Sequence, residues 1–189
     1  MRLYHGSNRM HLKRLEPRQA DHDRPYLYLS TLELTAAFYL INAVERPFYW
    51  FPYGFDADGS IYYQEWYPNA FREAASGKSG CIYTVAPPEE YLSPLPAIPC
   101  ARLCSVPVPV VDCLEILDCY QWFLDQERAG LFSIRRYESL TPEQLSRLNE
   151  LLLQELQQRN MAAHTDSLYA KWIRTKFPSV WVSYLELME

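Results

Sequence analysis

The tightest constraint on the fold is a strand and a helix set back to back over residues 26–41. Tyr26-Leu27-Tyr28-Leu29-Ser30 is a short aromatic and aliphatic run with the look of a buried strand. A helix follows at once, because Ser30 and Glu33 have capping-box spacing and Leu34, Ala37, Phe38 and Ile41 recur at helical intervals. Pro47 stops it, since proline offers no amide hydrogen to the helical ladder. The pattern points to a mixed α+β chain.

The remaining segments fit the same class. Residues 2–7 alternate weakly, as at the start of a sheet, and residues 8–25 are a polar loop with Pro17 and Pro25. Residues 47–63 hold Pro47, Pro52, Gly54 and Gly59 among aromatics and read as irregular. A second helix spans Pro68 to Ala75 and ends in the turn Ser76-Gly77-Lys78-Ser79-Gly80, and Cys81 to Val85 reads as a strand. Prolines 87, 88, 94, 96 and 99 make the next stretch a long extended loop. Val106, Val108, Val110 and Val111 suggest a strand that Pro107 and Pro109 confine to an edge or to a single bonded side.

Helical periodicity returns from Leu114 to Arg128, with Gly130 as a stop, and Leu131 to Tyr137 is a final strand. Thr141-Pro142-Glu143-Gln144 is a strong helix start, followed by an apolar stripe of leucines at 145, 148, 151, 152 and 156. A last helix runs from Asp166 to about Lys176 and ends before Pro178. The expectation is one domain over 1–189, with a mixed core at 1–140 and a helical extension at 141–189.

Composition narrows the function classes. With 49% hydrophobic and 22% charged residues, the chain can bury a core. The net charge of -5 argues against general electrostatic capture of nucleic acid, although Arg128, Arg135 and Arg136 lie close in sequence. No apolar signal region opens the chain and no apolar run matches a membrane span, so a cytoplasmic protein without a membrane partner is expected. Five cysteines, at 81, 100, 104, 113 and 119, lie outside any zinc spacing. Buried reduced thiols and no metal are expected.

The chemistry-bearing residues sit near the N-terminus. His5-Gly6-Ser7 closes the first strand-like run, Tyr28 lies inside the second, and Tyr39 follows eleven residues later on the helix. This arrangement resembles the ADP-ribosyltransferase superfamily, in the branch of the poly(ADP-ribose) polymerases and diphtheria-type toxins. In that family a first strand carries His-Gly followed by Ser or Thr. A second strand carries an aromatic residue, and another tyrosine follows on the next helix. The resemblance covers residues 3–40. It implies a split β-sheet core with flanking helices, with NAD as substrate and a macromolecular acceptor.

The family's roles suit the residue types. Glycine lets a backbone approach the nicotinamide carboxamide, histidine hydrogen-bonds a ribose hydroxyl, and tyrosines stack on the flat ring. By the resemblance, His5 holds the ribose, Gly6 the carboxamide, and Tyr28 and Tyr39 the ring, while Ser7 and Ser30 support them. Transferases of this family also need a late carboxylate that stabilises the cation-like centre as nicotinamide leaves. Residues 99–105, before the valine-rich strand, hold no acid. Glu138, after the run Leu131 to Tyr137, is preferred over Glu115 and Glu127. Two readings follow: an ADP-ribosyltransferase, with His5, Tyr28 and Glu138 as its catalytic set, or a module of the same fold that has lost its acid and keeps a nucleotide or partner site.

Overall fold

A computed structural model describes residues 1–19, 23–41, 53–95 and 98–188. The first elements are strands β1 (Leu3–Ser7), β2 (Arg14–Leu15) and β3 (Leu27–Ser30), then helix α1 (Glu33–Ile41). Strands β4 (Tyr53–Phe55) and β5 (Ile61–Gln64) and helix α2 (Ala70–Ala75) follow. Next come strands β6 (Gly80–Val85), β7 (Leu92–Leu95), β8 (Ile98–Cys104) and β9 (Val108–Ile116). Helix α3 (Cys119–Arg128), strand β10 (Phe132–Arg135) and helices α4 (Pro142–Gln158), α5 (Leu168–Lys176) and α6 (Pro178–Glu186) complete the chain. The chain divides into two units, Met1–Ala43 with Ala74–Asp125, and Val44–Glu73 with Gln126–Glu189. The mixed α+β class expected from the sequence is the class observed.

The first unit is built on a seven-stranded sheet of order β2-β9-β6-β1-β3-β8-β7, with every pair antiparallel. One face packs Leu3, Leu15, Leu27, Leu29, Tyr83, Val85 and Val108 into a core. The Tyr83 hydroxyl donates to the Arg9 carbonyl at 2.6 Å and accepts from the Leu12 amide at 3.1 Å, which pins residues 9–12 over that core. Helix α1 approaches β1 so closely that a methyl added to Gly6 would collide with the Ala36 carbonyl oxygen. Its Phe38 is fully buried and stacks on Phe123 of α3 at 4.9 Å. Burying such a ring contributes about 2–3 kcal/mol.

In the second unit β10 runs parallel to β5, with β4 on the other side of β5. Phe132 and Tyr63 pack on Phe71. The buried Glu65 carboxylate accepts from the Phe71 amide at 3.0 Å and the Tyr137 amide at 3.2 Å. Thr141 caps α4 in a reciprocal capping box with Gln144, with Pro142 in the first turn, as the sequence predicts. Leu152 and Leu156 reach the helical core, which Tyr67, Trp172 and Phe177 cement through edge contacts.

Four expectations need correction. Residues 53–63 are not irregular, because they carry β4 and part of β5. Tyr62 folds over Gly54, where any side chain would collide with its ring. The extended loop at 87–99 instead holds a 3-10 turn, β7 and the start of β8, with Pro94 registered against Arg102 and Pro99 inside β8. The helix expected from Leu114 starts only at Cys119, since β9 continues through Ile116 against β6. Pro178 opens α6 rather than following the last helix, because its missing amide costs nothing in a first turn. The stop at Pro47 lies outside the described residues.

Candidate functional site

Six of the residues singled out in the sequence fall on β1, β3 and α1. The β1–β6 ladder registers every residue from Leu3 to Ser7, whereas the β1–β3 ladder registers only Tyr4 with Ser30. Past that pair the two strands are joined by a side chain: His5 Nδ1 lies 2.8 Å from the Tyr28 carbonyl oxygen. A carbonyl can only accept, so Nδ1 carries the proton and neutral His5 presents Nε2 as an acceptor. Burial lowers the His5 pKa from its ordinary 6.5, the Tyr28 carbonyl opposes that shift, and the Arg18 charge adds to it. The neutral, accepting form therefore prevails at physiological pH.

Gly6 is the neighbour that brings α1 in. The same added methyl would stand 3.4 Å from Tyr39 Cβ, so Tyr39 projects from α1 beside Gly6. Burial raises the Tyr39 hydroxyl to about 12, with Cys100 and Tyr28 adding to the rise, which makes Tyr28 its electrostatic neighbour. Strand alternation puts Tyr28 on the face of Ser30, and the register puts Ser30 beside Tyr4. His5 alternates to the other face, opposite Tyr83. The structure thus joins His5 to Tyr28 and Gly6 to Tyr39.

The two serines have local partners. Ser7 Oγ accepts from the Arg9 amide at 3.2 Å and closes β1. Ser30 Oγ accepts from the Leu32 amide at 2.9 Å and contacts Thr35 Oγ1, whose hydroxyl donates to the Leu32 carbonyl. The Cys100 thiol joins this network on Thr35. These bonds set the first turn of α1 and hence the position of Tyr39.

Glu138 lies in the 3-10 turn Tyr137–Ser139 of the second unit, exposed to solvent. It is on neither β1, β3 nor α1. Arginines 135 and 136 are engaged by acids, Arg135 with Asp56 at 2.6 Å and Arg136 with Glu127 at 2.9 Å. Arg18 is the residue that sequence reasoning missed. It pairs with Tyr26 through two backbone hydrogen bonds at 3.0 and 3.1 Å, and its charge acts on His5. A lone arginine in a polar loop carries no local signal of this placement.

Among the described residues no helix is long and apolar enough to cross a membrane. No group of three His, Cys, Asp or Glu side chains among them could hold a metal ion. No family model, no curated protein and no solved structure matches the chain.

Proposed function

We propose that the protein binds NAD through its nicotinamide-ribose half, in an ADP-ribosyltransferase-like site made by His5, Gly6, Tyr28 and Tyr39. The observation that carries this reading is the junction of β1 and β3. There, a neutral His5 bonds the Tyr28 carbonyl through Nδ1, which leaves Nε2 to accept from a ribose hydroxyl. The limited β1–β3 ladder supports the split-sheet core of that superfamily. Arg18 adds a cation beside His5 that suits a pyrophosphate.

Binding without transfer is the favoured form of this reading. Transfer needs a carboxylate at the reacting ribose. Strand β8, which pairs directly with β3, reads Ile-Pro-Cys-Ala-Arg-Leu-Cys and holds no acid. Glu138 remains the acid of the transferase reading, with a macromolecular acceptor.

Calorimetric titration with NAD, run beside an assay for nicotinamide release from labelled NAD, tests both forms. Binding that weakens in His5→Ala, with no release, is the expected result. Release that Glu138→Gln abolishes would establish the transferase instead. Absence of NAD binding would overturn both.

A further inference from the structure

Strand β9 leaves one side of its ladder unfilled. Strand β2 pairs with it only at Val108 and Pro109, and the Val110 amide donates to the Lys13 carbonyl at 3.0 Å. On the N-terminal side of Lys13 the chain leaves that row, because the Tyr83 hydroxyl holds residues 9–12 over the sheet face. Among the described residues no strand pairs with the outer side of residues 111–116, a length of about 20 Å. Residues 111–115 are all exposed, so both faces and the edge meet solvent. The outward main-chain groups are those of Cys113 and Glu115. A register shift between Thr84 and Val85 moves the alternation by one residue, and the Cys113 amide donates to the Asp112 carboxylate at 2.8 Å rather than entering the β6 ladder.

We propose that this edge takes up an extended segment of a basic partner protein as an added antiparallel strand. The other end of the sheet is guarded, since β7 is short and carries Pro94. Residues 111–116 have neither proline nor lysine, and Val111 and Leu114 are 60% and 43% exposed. Residues 106–118 hold no Lys, Arg or His, and among the described residues neither Asp112 nor Glu115 is in an ion pair. The two acids are three positions apart and so lie on opposite faces of β9. They match an incoming strand that reads basic, apolar, any, basic, with its apolar residue opposite Leu114. The same acids argue against a second copy. A two-fold axis on Cys113 sets the two Asp112 side chains diagonally together. An axis on Leu114 does so for Glu115, and one on Glu115 opposes the two directly.

The test uses the full chain and a fluorescent peptide, Thr-Val-Lys-Val-Thr-Lys-Thr, whose lysines fall opposite Glu115 and Asp112. Anisotropy should show saturable binding. N-methylation of the first lysine and the second threonine, which face Glu115 and Cys113, should weaken it by about tenfold or more. N-methylation of the two valines, whose amides point away from β9, should leave it within about twofold. Glu115→Lys should weaken binding about tenfold, and a peptide with glutamate in place of the first lysine should restore it. No saturable binding, equal loss with either methylated pair, or no rescue by the exchanged charge would each overturn the proposal. A chain that sediments as a dimer and takes up no peptide would also overturn it and assign the edge to a second copy. None of these outcomes depends on whether the protein binds NAD.

Discussion

Glu65 in the second unit and His5 in the first both bond the backbone, and the two do so differently. In the second unit the Glu65 carboxylate meets two main-chain donors, one oxygen on Phe71 and the other on Tyr137. In the first unit His5 meets one acceptor through Nδ1, and among the described residues Nε2 has no partner. Glu65 ties the start of α2 to the turn after β10, so its bonding holds the fold together. His5 bridges two strands whose ladder registers a single pair and keeps a polar atom for something else. A buried polar group bonded on both sides marks structure, and one bonded on a single side marks a candidate site.

The sharpest way to break this contrast is Glu65→Ala. It leaves two amides without their acceptor and should cost about 4 kcal/mol, read from the urea midpoint, while the folded fraction keeps its affinity for NAD. Gly6→Ala comes next, at about 3 kcal/mol by the same measurement, because the colliding atom is main chain and cannot rotate away. His5→Ala should do the opposite of Glu65→Ala. NAD affinity falls about tenfold by calorimetry, with stability lowered by only about 1 kcal/mol.

Smaller effects come from pH. The folded state lowers the His5 pKa, so below the ordinary value of 6.5 the unfolded chain binds the extra proton. Stability is therefore fully present above 6.5 and declines as pH falls through the folded value. Thermal melts should show a shallower acid decline in His5→Gln. Tyr39 has the reverse sign. Its pKa rises from 10.0 to about 12, so its contribution is present below 10.0 and lost as pH climbs through the folded value. Tyr39→Phe should flatten that alkaline loss and move the neutral-pH melting temperature least of all these variants.

Legibility followed the range of the signal. Thr141, Pro142 and Gln144 announce α4 because a cap involves residues three apart, and Leu27 to Ser30 announce β3 because a short apolar run is a local signal. The prolines misled for a related reason. Pro109 lies inside β9 and Pro94 and Pro99 inside β7 and β8, where the sheet tolerates them, while Pro178 begins a helix. Whether a missing amide hydrogen costs anything depends on what faces it, and a linear pattern does not record that. The Met10–Cys81 contact was illegible for the same reason, since its members are 71 residues apart.

His5-Gly6-Ser7, Tyr28 and Tyr39 were marked by their resemblance to a family motif, and the mixed α+β class by local patterns that depend on neighbours a few positions away. The tertiary structure decided what those residues can do. Packing against Ala36 shows that Gly6 is required by the close approach of α1. The Tyr28 carbonyl selects the His5 tautomer, and burial keeps the ring neutral. Such properties depend on which groups meet across strands and on how much water is excluded, and both arise only when distant segments come together.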